Sequence, residues 1–223
     1  MEAPLLKKIS ETRDVKTFRF KIDMTFKPGQ FVMLKVSERS EAFSISSSPT
    51  DKGYIDISMK MTTSEYKKTL EAAKIGDVFD IKGPYGTFLL NESMDAIMIA
   101  GGIGITPFRS MIRYAAAKRL HIKITLIYSS KTPEDIAFRK EIEELEKQNK
   151  NLIVIHTITR PEESIERWRG RTGRIDKEMI VGMKNWKGSA FYVCGPPAMV
   201  DSVVSLLKEA GVPQIKTEKF GGY

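Results

Sequence analysis

A glycine-rich turn constrains the fold of this chain more than any other feature, and it spans Ala100–Pro107 with the sequence AGGIGITP. It follows a short apolar segment, Asp95–Ala100, which is typical of a buried parallel strand. From Thr106 onward the apolar residues recur at helical spacing. Thr106 can cap that helix, and Pro107 fits its first turn. Glycines there let backbone amides approach a pyrophosphate at the positive end of the helix. The turn predicts either a dinucleotide site or a tight strand–helix connection without a ligand.

The few cysteines and histidines exclude several classes of chemistry. The chain has one cysteine, Cys194, so it cannot form an intrachain disulfide or hold an iron–sulfur cluster by four thiolates of its own. His121 and His156 lie beside or within predicted strands, and no His/Cys cluster has metal-ligand spacing. The G-x-S-x-G nucleophile elbow of Ser-His-Asp hydrolases is also missing. We therefore expect neither a bound metal nor hydrolysis.

The hydropathy and charge of the chain bear on its location and partners. No apolar run reaches the ~20 residues of a membrane-spanning helix, and no secretory signal is visible, so a cytoplasmic location is expected. The formal net charge of +8 suits nucleic acid, membrane headgroups or an acidic protein. Because the lysines are dispersed and often followed by glutamate, as within 140–147, we expect no nucleic-acid partner. An acidic redox partner fits the charge, although the charge alone does not select it.

Residues 1–92 have the pattern of an antiparallel β-barrel, because many short strands are separated by turns. The alternation within Tyr54–Met61 is the clearest, with Ile55, Ile57 and Met59 on one face. Further strands are predicted from Val15 to Ile22, over Gln30–Val36 and over Asp77–Lys82, with one short helix at Ser64–Ala73.

From about residue 93, strands alternate with helices, which predicts a doubly wound parallel sheet with crossover helices. The five predicted strands are 96–100, 122–128, 152–157, 190–194 and 214–219. The predicted helices are 106–118, 133–148, 176–183 and 197–210. The chain is thus expected to have two domains, a β-barrel at 1–92 and an α/β domain with a five-stranded parallel sheet at 93–223. Ligands of such sheets bind at the carboxyl ends of the strands.

Five short motifs occur in a defined order across both halves of the chain. They are Ala42–Ser47 (AFSISS), Gly83–Phe88 (GPYGTF), Gly101–Pro107 (GGIGITP), Val193–Met199 (VCGPPAM) and Glu218–Phe220 (EKF). Together they resemble the motifs of the ferredoxin–NADP reductase family of flavoprotein reductases, and the resemblance covers essentially the whole chain. It implies a flavin-binding barrel followed by an NAD(P)-binding α/β domain. It also implies an enzyme that passes a hydride from nicotinamide to N5 of the flavin.

The resemblance assigns a flavin site to the barrel. It places Phe43 against the isoalloxazine ring and Ser44 in a hydrogen bond near N5. Phe220 or Tyr223 would cover the flavin until nicotinamide displaces it. The full set of implied flavin contacts is Arg39, Phe43, Ser44, Ile45, Ser46, Met59, Lys60, Ser64, Lys67, Phe220 and Tyr223.

Two departures from the family pattern concern the flavin phosphate. Glu41 stands where the family has an arginine, and a carboxylate does not pair with phosphate. Arg39, two residues earlier, is the expected substitute. The family's G-x-x-[ST] segment at a helix start is SEYK here, so Lys67 replaces the hydroxyl and offers a point charge to phosphate. FAD is the preferred interpretation, and the departures leave FMN and a loosely held flavin open.

The resemblance also assigns a nicotinamide site. Cys194, Gly195 and Pro196 would frame the nicotinamide, with the cysteine acting by contact and orientation. Glu218 would orient Ser44 or Cys194 or relay a proton, so these three form the implied catalytic set. The implied NAD(P) contacts are Gly102, Gly104, Ile105, Thr106, Pro107, Ser129, Ser130, Lys131, Arg160, Gly195, Pro196 and Met199.

The ends of the second and third parallel strands indicate which nicotinamide cofactor is used. An acidic residue after the second strand grips the ribose hydroxyls of NAD and repels a 2′-phosphate. That strand ends here with Tyr128–Lys131, which contains no acid, and the third ends at Arg160. Serine, lysine and arginine at one edge favour NADP. The alternative is a basic rim that contacts only solvent.

These expectations describe an NAD(P)H-dependent flavoprotein reductase. Since the chain has no cluster ligands, its acceptor must be separate, either an acidic carrier such as ferredoxin or flavodoxin or a monooxygenase component. Two alternatives stay open. One is a flavin reductase that uses flavin as a diffusible substrate, which Glu41 favours. The other is an electron-transfer or regulatory subunit of a larger complex.

Overall fold

The computed structural model describes residues 1–183 and 186–221. The chain divides into two compact units. The first contains Met1–Leu90 and Thr106–Ala117, and the second contains Asn91–Ile105 with the described residues from Lys118 onward. The helix that follows the glycine turn therefore groups with the first unit by its contacts. Within the described part of the chain, every helix is too short or too polar to cross a bilayer.

The first unit is a six-stranded antiparallel sheet that closes into a barrel, as predicted. Its elements are β1 (Glu2–Ser10), β2 (Val15–Lys21), β3 (Phe31–Val36), β4 (Arg39–Ser44), β5 (Tyr54–Lys60), α1 (Glu65–Ala72), β6 (Val78–Tyr85) and most of α2 (Ile105–Ala117). The strand order is β4-β3-β6-β1-β2-β5. The two edge strands are joined by a bridge between Ile45 and Ile57, and the Ser46 amide donates to the Asp56 carbonyl at 2.9 Å.

Strand β5 illustrates how the sequence forms the barrel core. Ile55, Ile57 and Met59 are buried on the face that their alternation predicts. Full burial of such a side chain contributes about 1.5–3 kcal/mol relative to exposure. The opposite face of β5 is buried as well, since Asp56 and Ser58 are 1% and 4% exposed. Alternation alone predicts a half-exposed strand, so the second covered face is a tertiary effect.

Strands β1 and β4 do not follow from the sequence pattern. β1 carries Pro4 and a register shift between Leu5 and Lys7, which interrupt its apolar alternation. β4 has the polar sequence RSEAFS and is largely exposed before Ser44. Its strand conformation depends on pairing with β3, a contact that local propensity does not encode.

The second unit is a parallel sheet, as predicted, with one strand more than expected. Its strands are β7 (Ala96–Gly101), β8 (Ile124–Ser130), β9 (Leu152–Ile158), β10 (Arg171–Thr172), β11 (Ala190–Gly195) and β12 (Ile215–Lys219), in the order β10-β9-β8-β7-β11-β12. Its helices are α3 (Arg139–Gln148), α4 (Lys177–Val181) and α5 (Pro197–Glu209). The sheet therefore has six strands instead of five. β10 was missed because it has two exposed polar residues and no apolar pattern.

Two predicted helix starts need correction. The helix expected at 133–148 is divided into a 3-10 turn at Pro133–Asp135 and α3. The buried Phe138 adopts a left-handed conformation with φ of 60°, and this interrupts the helix. α2 begins at Ile105, directly after a 3-10 turn at Gly102–Gly104, so Thr106 is its second residue rather than its cap.

Candidate functional site

The end of β4 places an aromatic ring beside a buried hydroxyl. Pairing with β3 sets Phe43 opposite Val32, and the half-buried Phe43 ring lies 6.0 Å from the ring of Tyr66 at an angle of 30°. Ser44 is 4% exposed, and its Oγ has no hydrogen-bond partner among the described residues. A buried polar group without a partner costs about 1–3 kcal/mol. A flavin ring nitrogen beside Phe43 is a group that fits this position.

The side chains of three other implied flavin contacts pack or form hydrogen bonds inside the barrel. Ile45 and Met59 belong to the buried apolar core, with exposures of 0% and 2%. The Ser46 hydroxyl donates to a carbonyl oxygen of β5 at 3.1 Å. These three residues can therefore meet a flavin through their backbone atoms only. Lys60 pairs with Asp14 at 2.8 Å and is partly exposed.

Lys67 is a buried cation in the first turn of α1. It is 7% exposed, and its ammonium has neither a hydrogen bond nor an ion pair with any described residue. Burial lowers the pKa of Lys67, and the carboxylate of Glu41 opposes that shift. The Ser64 hydroxyl caps the helix by accepting from the Lys67 amide at 3.4 Å. A buried ammonium is stabilised by an anion, so the phosphate of a flavin fits this position.

Arg39, the expected substitute for the missing phosphate arginine, has a different environment. It lies at the exposed start of β4, opposite Val36 in the hairpin. Four residues of extended strand separate it from Phe43, a distance of ~13 Å. Lys67 therefore has the more buried position of the two candidate phosphate cations.

A buried ion network connects α2 to the flavin segment, and the sequence analysis missed it. Arg109 on α2 is 7% exposed and donates to the Ser46 carbonyl at 3.1 Å and to Asp56 at 3.3 Å. Asp56 also accepts two hydrogen bonds from Arg19, at 2.8 and 3.0 Å. The signal available in the sequence was a carboxylate within the apolar run of β5, which implies a buried cationic partner.

In the second unit, the glycine turn packs directly against the end of β11 and the start of α5. A Cβ on Gly104 would lie 2.3 Å from the carbonyl oxygen of Cys194, and one on Gly101 would lie 2.1 Å from the sulfur of Met199. Gly102 differs, because its φ is +51° and, beyond its neighbours along the chain, no atom of the described residues lies within 4 Å of where a Cβ would be. Two glycines thus permit close packing, and the third leaves space in which a pyrophosphate can approach the backbone.

Cys194 and Glu218 are neighbours on the parallel strands β11 and β12. Burial, with the Glu218 carboxylate, raises the pKa of the Cys194 thiol, so it stays protonated at neutral pH. Burial also raises the pKa of Glu218 to about 7, and its Oε2 has no partner among the described residues. The Phe220 amide donates to the Gly195 carbonyl at 3.0 Å. Cys194, Gly195, Glu218 and Phe220 therefore lie together. Tyr223, the other residue implied to cover the flavin, lies outside the described residues.

The sheet places side by side the two strand ends whose basic residues are predicted to bind a 2′-phosphate. The Arg160 amide donates to the Lys131 carbonyl at 2.8 Å, so the ends of β8 and β9 are adjacent. Lys131 is exposed, whereas Ser129 is partly buried and Ser130 is buried. Arg160 pairs with Glu163 at 3.1 Å, with both side chains about half exposed. Such a surface pair contributes about 0–1 kcal/mol, so a phosphate would compete with it.

Residues 167–174, with the sequence RWRGRTGR, form an arginine cluster that the argument from dispersed lysines overlooked. Arg171 pairs with Asp176. The other three arginines are exposed and form no ion pair within the described part of the chain. The second unit therefore carries a concentrated positive charge on its surface. Across 1–183 and 186–221, no three His, Cys, Asp or Glu residues form a group able to hold a metal ion.

Two protein families match consecutive parts of the chain. The oxidoreductase FAD-binding domain matches residues 2–89, and the oxidoreductase NAD-binding domain matches residues 98–205. Sulfhydrogenase 1 subunit gamma of Pyrococcus furiosus is 33% identical over 221 residues, which cover 93% of this chain and 74% of that protein. The glycine betaine monooxygenase reductase subunit of Chromohalobacter salexigens is 31% identical over 231 residues, covering 97% of this chain and 63% of that protein. In other curated relatives the chain spans as little as 48% of their length.

Solved structures have a similar fold over nearly the whole length of this chain. The FAD/NAD-binding domain of nitric oxide dioxygenase from Vibrio cholerae has a TM-score of 0.86 at 21% identity, covering 99% of this chain and 98% of that one. The cytochrome b5 reductase domain of Ulva prolifera nitrate reductase has a TM-score of 0.83 at 24% identity, covering 97% and 96%. At sequence identities of 21% and 24%, these structures show that the fold is shared.

Proposed function

Because this chain belongs to the ferredoxin–NADP reductase-like family and is an NAD(P)H-dependent flavin oxidoreductase, we propose that it passes electrons from NADPH, through FAD, to a separate acidic acceptor. The observation that carries the proposal is Ser44, a buried hydroxyl without a described partner beside the half-buried ring of Phe43. The buried ammonium of Lys67 supports it. A cytoplasmic location stays a prediction from the sequence.

The barrel residues would bind and orient the flavin. When bound, the flavin would supply the redox chemistry, namely hydride acceptance at N5 and onward transfer of electrons, while the protein supplies binding and orientation. Phe43 offers an apolar face to the ring, and Ser44 donates a hydrogen bond near N5. Lys67 offsets the negative charge of the phosphate.

Residues of the second unit would bind the nicotinamide nucleotide. Gly102 leaves room for a pyrophosphate beside the backbone. Gly195 and Pro196 would contact the nicotinamide, as the family resemblance implies. Cys194 contributes a neutral, compact surface, since its thiol stays protonated. Glu218, with a pKa of about 7, holds a proton below neutral pH and releases it above. It can therefore exchange a proton near neutral pH.

The absorption spectrum of the purified protein tests the proposal most directly. We expect flavin bands near about 370 and 450 nm, a property of the cofactor, and their bleaching by NADPH under anaerobic conditions. A protein that stays colourless after incubation with FAD and FMN, and that does not oxidise NADPH or NADH with either present, would contradict it.

Lys67→Gln is expected to weaken FAD binding about 10-fold, because a hydrogen bond to a charged group contributes roughly 1.5–3 kcal/mol. Glu41→Gln is expected to strengthen binding, since it removes a negative charge near the phosphate. Fluorescence titration of the apoprotein with FAD measures both dissociation constants. Lys68→Gln is the control, because Lys68 is exposed on the same helix. Equal constants for the variants at 67 and 68 would remove Lys67 from the site.

The preference for NADPH is proposed from the basic edge formed by Lys131 and Arg160. Arg160→Ala is expected to lower kcat/KM for NADPH about 10-fold through loss of a charged hydrogen bond to the 2′-phosphate, with little change for NADH. Steady-state kinetics with both nucleotides measures this. Lys140→Ala is the control, because Lys140 is exposed and lies outside both the basic edge and the arginine cluster. A strong preference for NADH that Arg160→Ala does not alter would overturn the proposal.

The acceptor is proposed to be an acidic carrier such as ferredoxin or flavodoxin, or a monooxygenase component. The net charge of +8 and the arginine cluster at 167–174 support it. Several relatives are named as subunits, which favours an electron-transfer component of a larger assembly. Turnover of NADPH by the isolated chain with ferricyanide would show that it acts without the other components.

A second candidate function is reduction of free flavin. Glu41, in place of the family's phosphate arginine, favours it because the carboxylate repels the phosphate. A colourless purified protein that oxidises NADPH when FMN or riboflavin is added would select this candidate. A yellow protein that keeps its flavin through gel filtration would select the first.

A further inference from the structure

Arg109 links the flavin segment Ala42–Ser47 to the first turn of α2. In the proposed function the segment contacts the flavin ring and the first turn contacts the pyrophosphate. Arg109 lies on α2, three residues after Thr106, and residues at this spacing are neighbours on a helix surface. Thr106 and Pro107 form the first turn of that helix, which is the proposed pyrophosphate contact. The Arg109 guanidinium reaches the Ser46 carbonyl oxygen at 3.1 Å.

The atom that Arg109 contacts belongs to the flavin segment itself. Ser46 follows the proposed hydride-site residue Ser44 by two positions. Its amide donates to the Asp56 carbonyl at 2.9 Å, and the Asp56 carboxylate binds Arg109 at 3.3 Å. Arg19 holds the same carboxylate through two hydrogen bonds. The backbone after Ser44 is therefore held between β5 and α2 by groups that are almost fully buried.

We propose that Arg109 is a positioning residue that fixes the backbone carrying Phe43 and Ser44 relative to the first turn of α2. This inference rests on the proposed function. Because Arg109 bonds to a main-chain oxygen, it sets the position of the segment whatever side chain residue 46 has. A displacement of about 1 Å between reacting groups can cost on the order of 10²-fold in rate, so a link of this kind affects catalysis without touching the substrate.

A second ion pair also attaches α2 to the barrel. Loss of that pair can therefore be compared with loss of Arg109, to distinguish positioning of the flavin segment from simple attachment of the helix. Arg113, four residues further along, pairs with Asp51 at 2.9 Å. Asp51 lies beyond the Ala42–Ser47 flavin segment, and this pair is more exposed, at 28% and 15%. If either arginine is lost, the other still ties the helix to the barrel. Arg109 bonds to the flavin segment, whereas the ion pair of Arg113 is with Asp51, outside that segment.

The test compares Arg109→Gln with Arg113→Gln in the FAD-loaded protein. Four quantities are measured: Tm, the dissociation constants of FAD and NADP+, and the limiting rate of flavin reduction by NADPH in stopped flow. We expect Arg109→Gln to lower the limiting rate about 10-fold or more, with both dissociation constants within about 3-fold of wild type. Arg113→Gln should lower Tm without lowering that rate. A loss of rate without a loss of affinity is a change that a purely structural role would not produce.

A conservative variant keeps the inference testable if Arg109→Gln does not fold. Arg109→Lys retains the charge opposite Asp56 but lacks the planar fork, so we expect the limiting rate to fall by a smaller factor, about 3-fold. A wild-type rate in every Arg109 variant that folds, or an equal loss in Arg113→Gln, overturns the inference. If wild-type protein with bound FAD is not reduced by NADPH or NADH, the proposed function itself fails.

Discussion

Ser44→Ala is expected to slow flavin reduction by NADPH about 10²-fold, because removing one hydrogen-bond donor from a position where charge develops costs on the order of 10²–10³ in rate. Ser44 is 4% exposed, and no described group satisfies its hydroxyl. The affinity for NADP+ should stay close to that of wild type, since the hydroxyl faces the flavin in the proposed site. Stopped-flow absorbance at saturating NADPH measures the rate.

The stability of the apoprotein provides an independent check on Ser44. A buried hydroxyl without a partner destabilises the folded state, so Ser44→Ala should leave the Tm of the apoprotein unchanged or raise it. Ser40→Ala is the matched control, because Ser40 is exposed on the same strand. A wild-type reduction rate in Ser44→Ala would exclude Ser44 from the hydride site. A marked fall in apoprotein Tm would show that the hydroxyl has a structural role instead.

Gly104→Ala is expected to destabilise the protein and to abolish tight binding of the nicotinamide nucleotide. The added Cβ would lie 2.3 Å from the carbonyl oxygen of Cys194 and 2.7 Å from the Cα of Gly195, so backbone must move. Overpacking of this kind typically costs about 1–3 kcal/mol. The shift would move the end of β11 away from the glycine turn. Urea denaturation measures the free energy of unfolding, and titration with NADP+ measures binding.

The control for Gly104→Ala is Gly188→Ala. Among the described residues other than its neighbours along the chain, no atom lies within 4 Å of the place where a Cβ on Gly188 would be, and its φ is not positive. Its free energy of unfolding should change by less than about 0.5 kcal/mol, as for most surface substitutions. If Gly104→Ala binds NADP+ as wild type does, the contact between the glycine turn and β11 does not shape the nucleotide site.

Much of the fold could be predicted from local patterns. The alternation of Ile55, Ile57 and Met59 predicted a barrel strand, and the alternation of strands and helices after residue 93 predicted the parallel sheet. Both signals come from residues close in sequence, whose periodicity follows from strand and helix geometry. Strands β4 and β10 were missed because their sequences are polar and short, and only their neighbours keep them extended.

The candidate site divides in the same way. The sequence by itself determined the order of the motifs, the presence of the glycine turn and the replacement of the phosphate arginine by Glu41. Only the tertiary structure decided that Lys67 is buried without a described partner, that Glu218 lies beside Cys194, and that Arg109 holds the backbone of Ser46. These relations join residues far apart in sequence, or depend on burial. The energies of these interactions come from desolvation and from contacts that form only when distant strands and helices meet. Local sequence patterns therefore cannot predict them.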